Sequence, residues 1–169
     1  MVKIALFIAC SLDGFIADLN GEIAWLFQDQ DYGYSKFYES IDVLVMGNNT
    51  YKTTLTFDTF PHKDKECFVF SKKEKREKDE NVTFVKNSVR KFILDMQKNG
   101  KKKIWLVGGS ELIYEFLKEN LIDEFIISIH PILLGRGINL FKESAIRKEL
   151  KLIKAEKFET GLVQLTYKK

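Results

Sequence analysis

Two adjacent glycines near the middle of the chain lie where the main chain could bind an anion, between a predicted strand and a predicted helix. Gly108 and Gly109 follow the apolar run 104–107 and precede an amphipathic segment at 111–119. The run predicts a buried strand, and the spacing of apolar residues after it predicts a helix. Glycine lets the backbone approach a ligand, and a helix start presents unpaired N–H groups that bind anions such as phosphate. A tight turn that merely requires glycine explains the same residues equally well.

Two further glycine-containing turns follow predicted strands. Gly47 ends the apolar run 42–46 and leads to a predicted short helix over 48–55, with one of its first two asparagines as the N-cap. The apolar run 2–9 is followed by the turn 11–14. Because ligands of parallel sheets bind beyond the carboxyl ends of the strands, we expect the three turns to converge on one site.

The other elements predict the scaffold that positions these turns. Apolar runs and helical spacing predict strands at 66–70, 82–85 and 125–129, helices at 34–41 and 88–98, and a closing antiparallel hairpin of 150–158 with 162–167. Alternating strands and helices predict one domain, residues 1–169, of the α/β class. Its sheet is expected to be mixed and mostly parallel, with helices on both faces.

The composition excludes several classes of partner. The net charge is only +3, and the lysines of the segment 72–80 are interleaved with acidic residues, so this segment predicts a solvated loop and no nucleic-acid partner. No run approaches the length of a membrane span, so no membrane partner is expected. Cys10 and Cys67 lack the spacing of a metal site and are expected to be reduced thiols in a cytoplasmic protein.

Five motifs, in the same order along the chain, resemble the dihydrofolate reductase-like family. They are Ser11-Leu12-Asp13-Gly14-Phe15-Ile16-Ala17, Met46-Gly47-Asn48-Asn49-Thr50-Tyr51, Val69-Phe70-Ser71, Trp105-Leu106-Val107-Gly108-Gly109, and the block 121–141 with Pro131-Ile132-Leu133-Leu134-Gly135-Arg136-Gly137. The last block looks most like the reductase domain of riboflavin biosynthesis, which shares the fold. The resemblance covers about residues 2–167 and implies a three-layer αβα dihydrofolate reductase-like fold.

The resemblance also implies an activity and a cofactor. It implies an NADPH-dependent reductase that transfers a hydride to a small heterocycle of the pterin, folate or pyrimidine type, including 5-amino-6-(5-phosphoribosylamino)uracil. It implies a cis peptide between Gly108 and Gly109, and two helix starts at the cofactor phosphates. The implied cofactor-binding residues are Ala9, Ile16, Gly47, Asn48, Asn49, Thr50, Ser71, Lys72, Val107, Gly108, Gly109, Ser110, Glu111 and Leu112.

The sequence departs from the family pattern at both ends of the implied site. Asn48 stands where dihydrofolate reductases usually carry the arginine that holds the adenosine 2′-phosphate. Lys72, after Ser71, would compensate as a point charge, so NADPH is favoured over NADH. The Asp-Asp-Pro stretch of the riboflavin enzymes has no counterpart after Thr50, and the arginine that grips their substrate phosphate falls near Tyr38. These differences argue against activity in the riboflavin pathway itself.

Trp25 and Asp31 are the candidate catalytic residues. Dihydrofolate reductases follow a tryptophan with an acid at the start of a helix, which assists protonation of the substrate, and Asp31 precedes the predicted helix at 34–41. A carboxyl group in an apolar pocket has a raised pKa that suits proton donation. A helix-capping aspartate is the alternative. Phe27 and Tyr34, with Phe37 and Tyr38, would suit a planar heterocycle, although core packing requires the same spacing.

The sequence leaves a second function open. A non-catalytic NADP(H)-binding sensor or scaffold of the same fold would also explain Asn48 and the altered substrate positions. Relatives in the riboflavin branch often dimerise, so a homodimer is expected by analogy alone. His130, next to Pro131, is expected to be structural, and His62 is expected to lie in a surface loop.

Overall fold

The computed structural model describes residues 1–169 and contains ten strands and four helices. The strands are β1 (Lys3–Ser11), β2 (Phe15–Ala17), β3 (Val43–Gly47), β4 (Glu66–Phe70), β5 (Thr83–Val85), β6 (Lys103–Gly108), β7 (Glu124–His130), β8 (Ile138–Asn139), β9 (Lys151–Lys157) and β10 (Val163–Lys168). The helices are α1 (Tyr34–Glu39), α2 (Asn48–Thr54), α3 (Val89–Lys98) and α4 (Ser110–Lys118).

Eight of the strands form one mixed sheet with the order β5-β4-β3-β6-β1-β7-β10-β9. The first six in this order pair in parallel, and β10 pairs antiparallel with both β7 and β9. The predicted mixed, mostly parallel sheet with its closing hairpin is therefore confirmed. The sequence did not predict the separate antiparallel pair of β2 and β8.

Helices cover both faces of the sheet because successive side chains of the central strands point to opposite sides. On β1, Ile4 and Leu6 belong to a core shared with α3 and α4. Ala5 belongs to a second core shared with α1 and α2, against which Phe7 packs. A strand that is buried on both faces reads as a continuous apolar run. The three layers explain why the runs 2–9, 42–46 and 104–107 show no alternation.

The helix starts depend on local capping. The Ser88 hydroxyl accepts a hydrogen bond from Lys91 N at 3.3 Å and caps α3. The prediction of an asparagine cap for α2 was wrong, because α2 begins at Asn48 directly after the strand and Gly47 holds the cap position without a side chain.

No helix has the length and apolar composition needed to cross a membrane; α3, with ten residues, is the longest.

A cleft opens between β1 and β6 at their carboxyl ends. The two strands pair from their start up to Leu6 and Leu106. Beyond this point, β1 stays paired with β7 up to Ser11, and β6 stays paired with β3 up to Gly108. Each strand thus follows its other neighbour and leaves the space between them free. In parallel sheets this is the place where ligands bind.

Candidate functional site

Two strand-to-helix corners lie side by side at this end of the sheet. The β3–α2 corner contains Gly47, and the β6–α4 corner contains Gly108 and Gly109. A β-carbon built on Gly47 would lie 3.7 Å from Gly109 N and 3.8 Å from Gly108 O. A β-carbon built on Gly109 would lie 3.3 Å from Thr50 Oγ1. The predicted convergence is confirmed for these two corners, whose main chains approach each other because no side chain stands between them. The third turn, residues 11–14, is bonded through Asp13 to the N–H groups of Leu134 and Gly135.

Gly108 is the position in this pair that requires glycine. Its φ is +137°, in the region that L-residues with a side chain rarely adopt, and a β-carbon there would lie 3.2 Å from Ile8 Cδ1. Gly109 has a φ of −77°, which any residue can adopt. The peptide between Gly108 and Gly109 is cis, as the resemblance implied.

Helix α4 begins directly after these glycines, with Gly109 as its N-cap and no capping side chain. The first N–H groups of such a helix have no intrahelical partner and are available to an anion. The hydroxyl of Ser110 donates to the carbonyl oxygen of Asn139 and so ties the corner to β8. Glu111 is exposed, and its carboxylate pairs with Lys142 at 2.6 Å. Because both side chains are already engaged, the groups that these two residues can offer to an anion are their main-chain N–H groups.

Ser71 and Lys72 lie beside the corners, because β4 pairs with β3 and places Phe70 opposite Gly47. Ser71 is buried, and its hydroxyl accepts a hydrogen bond from Glu74 N at 3.2 Å. Lys72 is exposed and forms no ion pair. Its ammonium group is free to meet an anion at this edge.

The other predicted cofactor residues lie in several places around the corners. Leu112 is buried in the core under α3 and α4, and Val107 packs against the core on the opposite face. Asn48 is half-buried and Asn49 exposed at the start of α2. Ile16 lies in β2, packs against the first core, and is absent from the lining of the cavity described next, whereas Ala9 lines it.

A cavity of about 370 Å³ occupies the cleft. It touches the glycine corner through Ile8, which lines the cavity and lies beneath Gly108. One side is formed by the strands β1, β6 and β7. The other side is formed mainly by an irregular segment, residues 23–32, which we name the covering loop. The lining residues are Phe7, Ile8, Ala9, Leu26, Phe27, Gln30, Asp31, Tyr32, Tyr34, Trp105, Ser128, His130 and Leu162.

Aromatic side chains form much of the cavity wall. Tyr34 and Trp105 meet edge to face with ring centroids 5.7 Å apart, and Trp105 Nε1 donates to Phe7 O at 2.9 Å. Phe27, which belongs to the covering loop, contributes to the opposite wall. Planar walls of this kind suit a planar aromatic ligand. Sequence reasoning placed Phe7 and Trp105 in strands but did not find their role in the cavity.

Two of the aromatic residues predicted for the site pack behind its wall. Phe37 is buried in the core under α1, in edge contact with Phe7 at 4.7 Å. Tyr38 stacks on Tyr34 at 5.4 Å, and its hydroxyl donates to Asp64 Oδ1 at 2.6 Å. Neither lines the cavity, so core packing explains their helical spacing.

Asp31 lines the cavity mouth, but it does not have the raised pKa expected of a proton donor. Its carboxylate accepts hydrogen bonds from the hydroxyl and the backbone N–H of Ser35, the latter at 2.9 Å. These bonds, the hydroxyl first, lower the pKa of Asp31 below its usual value, and the residue is exposed. The expectation of a carboxyl group in an apolar pocket was wrong. Asp31 instead accepts a hydrogen bond from a first-turn N–H of α1, whose N-cap position is held by Gly33.

Trp25 does not line the cavity. Its ring packs edge to face on His130, with centroids 5.3 Å apart. Its Nε1 atom is buried and has no hydrogen-bond partner. The structure therefore places Trp25 behind the cavity wall, where it supports the lining residue His130.

His130 is in the cavity wall, although the sequence suggested only a structural residue. It is 3% exposed, and its Nε2 accepts a hydrogen bond from Phe27 N at 3.1 Å. Its Nδ1 lies 3.4 Å from Ser128 O, so this nitrogen carries the proton of the neutral ring. Burial lowers the pKa of His130 against smaller opposing effects, first of the hydrogen bond to Ser128 O and then of Asp29. Its place at the carboxyl end of a predicted strand was the available signal.

His62 also differs from expectation, because it is buried and not part of an exposed loop. It is 5% exposed and packs against Trp105 and Phe60, with centroids 5.4 and 5.8 Å away. Burial lowers the pKa of His62 to about 4. Its imidazole supports the cavity wall from the far side of Trp105 and stays neutral at physiological pH.

Comparison with known proteins relates this chain to one family. The family model of the RibD C-terminal domain matches residues 50–164. The Bacillus subtilis protein YwjB, itself uncharacterized, is 40% identical over 169 residues, which cover 98% of this chain and 97% of YwjB.

Solved structures show the same fold. A protein from Shewanella sp. PV-4 that is assigned to riboflavin biosynthesis has a TM-score of 0.90 and 35% identity, over 99% of this chain and 98% of its own. The Enterococcus faecalis dihydrofolate reductase, complexed with NADP(H), has a TM-score of 0.74 and 18% identity, over 98% of this chain and 95% of its own. The dihydrofolate reductase-like fold expected from the motifs is therefore confirmed.

Proposed function

This chain belongs to the RibD C-terminal domain family, and we propose that it is an NADPH-dependent reductase. In this proposal it transfers a hydride to a small planar heterocycle of the pterin, folate or pyrimidine type. The observation that supports it most is the juxtaposition of two parts within one cleft. The paired glycine corners offer main-chain donors, and the aromatic cavity begins at Ile8, directly beneath Gly108.

The residues of the corners fit a dinucleotide phosphate. A β-carbon at Gly109 would press on Thr50 Oγ1, and one at Gly47 would fill the space against the neighbouring corner, so the absence of β-carbons keeps the main-chain N–H groups accessible. The cofactor would be held by the main chain of 47–50 and 108–112, by Ala9, and by Lys72 at the 2′-phosphate. When bound, NADPH would supply the hydride for the reduction.

The cavity would bind and orient the substrate. Its volume of about 370 Å³ is suited to a small molecule, and Phe27, Tyr34 and Trp105 offer flat apolar surfaces that exclude water. Burial raises the pKa of Tyr34 to about 12, so its hydroxyl keeps its proton and can donate a hydrogen bond to a ring substituent.

The charge of the lining supports a substrate without a phosphate. Asp31 is the only charged side chain among the lining residues. The ring of His130 is neutral, and both of its nitrogens are engaged in contacts within the protein. A buried phosphate would lack a cationic partner and would lie near an ionised carboxylate, which is costly. This favours a heterocycle other than the phosphoribosyl intermediates of riboflavin synthesis.

One observation favours a second candidate, a non-catalytic NADP(H)-binding sensor or scaffold. The lowered pKa of Asp31 leaves the cavity without a carboxylic acid that is protonated near neutral pH. A reductase of this architecture would have to take its proton from a hydroxyl group or from water.

Two measurements test the proposed function. Titration with NADPH, followed by the fluorescence of Trp25 and Trp105, measures binding. Loss of NADPH absorbance with dihydrofolate, and then with a panel of unphosphorylated and phosphorylated pyrimidines, measures turnover. We expect binding together with turnover of an unphosphorylated ring. Binding without turnover of any substrate would favour the sensor or scaffold, and absence of NADPH binding would contradict both candidates.

A further inference from the structure

We propose that His130 is a positioning residue that holds the covering loop in place and thereby shapes the substrate side of the cavity. The proposed function supplies only the identity of the ligand. The geometry of the loop and of the imidazole carries the inference itself.

The covering loop contains no helix or strand and depends on a few ties to the sheet. Tyr32 is held at the far end of the loop, where its hydroxyl bonds to Thr160 Oγ1 at 3.0 Å and its carbonyl accepts from Gln164 Nε2 at 3.1 Å. Within the middle of the loop, the hydrogen bond from Phe27 N to His130 Nε2 is the polar tie to β7. This tie therefore holds Phe27 and its neighbour Leu26, both of which line the cavity.

The imidazole is suited to this task because its surroundings fix its orientation. Trp25 packs on it edge to face at 5.3 Å, and the Phe27 ring lies 4.9 Å away. Nδ1 points to Ser128 O, which leaves Nε2 as the acceptor for the loop. Protonation would place a second donor on Nε2, opposite the N–H of Phe27, and would break the tie.

The groups around His130 determine when this happens. On the covering loop, the Asp29 carboxylate favours the charged ring, and the ionised Asp31 lies in the same lining. On β1, the residue opposite His130 is Ser11, which carries no charge, and on α1 burial raises the pKa of Tyr34, so its hydroxyl keeps its proton. Gln164 and Leu162, from β10 and its preceding turn, carry no charge. Burial outweighs both the hydrogen bond to Ser128 O and the charge of Asp29, so the pKa of His130 stays below its ordinary value, the ring is neutral at pH 7 and the tie is intact.

The sign of the pH dependence follows from this lowered pKa. The folded protein binds the proton on His130 more weakly than the unfolded chain does. The stabilising effect of the tie is therefore fully present above the ordinary histidine pKa, and it is lost as the pH falls through the lower value of the folded state. Acidification should release the covering loop before it affects the glycine corners.

Hydrogen exchange of the Phe27 amide tests the proposal without any ligand. In His130→Phe, which keeps the planar ring but removes the acceptor, we expect exchange about tenfold faster than in the wild type. His130→Gln, whose side-chain carbonyl can accept the same bond, should restore most of the protection. His62→Phe is the matched control, because it replaces a buried histidine on the far side of Trp105, and it should leave Phe27 protection unchanged.

The same variants separate positioning from a general loss of structure. We expect His130→Phe to raise KM or Kd for the heterocycle about tenfold, with kcat and NADPH affinity within twofold of the wild type. If this variant does not fold, the protection of Phe27 in the wild type is followed as the pH is lowered until the NMR signals of His130 show a protonated ring, and it is corrected for intrinsic exchange. Unchanged Phe27 protection, in the folded variant or after His130 is protonated, would overturn the role of His130. Failure of the wild type to bind NADPH would instead overturn the proposed function.

Discussion

The two sides of the cleft differ in composition, since one is formed mainly by main-chain atoms and the other mainly by side chains. On the proposed cofactor side, the main chains of Gly47, Gly108 and Gly109 lie against each other, and the ladder of β3 and β6 fixes them. On the proposed substrate side, the surface is made of side chains, many of them on a loop tied by His130 and Gln164. The first side should therefore be sensitive to any added side chain at its glycines. The second should respond to changes in the shape and polarity of its side chains.

The largest effect is expected at Gly108 on the cofactor side. Gly108→Val should weaken NADPH binding about a hundredfold, because valine resists a φ of +137° and its β-carbon would press on Ile8. Calorimetric titration measures the change, and thermal unfolding establishes that the variant is folded. Gly100→Val is the matched control, since Gly100 also has a positive φ but no atom near its β-carbon position. Unchanged NADPH affinity in folded Gly108→Val would show that the corner does not hold the cofactor.

A change on the substrate side should separate the two functions of the cleft. Phe27→Ala should weaken binding of the heterocycle about tenfold, because an aromatic wall and its contact with His130 are lost, while NADPH affinity stays unchanged. Fluorescence or calorimetric titrations with each ligand measure the two effects. Phe57→Ala, at an exposed phenylalanine outside the cleft, is the control. Equal losses for both ligands would mean that the two sides are not independent.

Lys72 tests whether charge assists the main-chain donors. Lys72→Ala should lower the preference for NADPH over NADH about fivefold, because an exposed point charge contributes roughly 1 kcal/mol or less. The ratio of the two dissociation constants measures this preference, and the effect should shrink as salt is added. Lys73→Ala provides a neighbouring control. A preference that Lys72→Ala leaves intact would assign recognition of the 2′-phosphate to other groups.

The smallest effect is expected at Asp31. Asp31→Asn keeps an acceptor for Ser35 and should leave turnover within about threefold, whereas loss of a general acid would cost about a hundredfold. Because the pKa of Asp31 is lowered, its contribution to stability is present above the ordinary aspartate pKa and is lost as the pH falls through the folded value. Thermal unfolding of the wild type and of Asp31→Asn at neutral and acid pH checks this. A hundredfold loss of turnover would restore Asp31 as the proton donor.

The cofactor side could be predicted from the sequence because its signals are local. A strand, a glycine and a helix start are neighbours along the chain, and parallel pairing then brings Gly47 and Gly108 to one edge. The short strands β2 and β8 were missed because two or three residues give no periodicity. The asparagine cap was wrong because α2 begins one residue closer to β3 than the turn chemistry suggested.

The substrate side could be predicted only in part because it depends on distant residues. His130 and Trp105 enter the cavity through the separation of β1 from β6, which no local pattern encodes. Asp31 lies near the cavity as expected, but the hydroxyl of Ser35, four residues later, sets its pKa. The homodimer and the cytoplasmic location remain predictions.

The central claim is that both glycine corners hold one dinucleotide through their main-chain N–H groups. The most direct test is to add NADPH to the ¹⁵N-labelled protein and to follow its amide resonances by NMR. We predict that the amides of Asn48, Asn49, Gly109 and Ser110 shift together, with a single binding constant. Shifts confined to one corner, or binding that leaves both corners unchanged, would contradict the account.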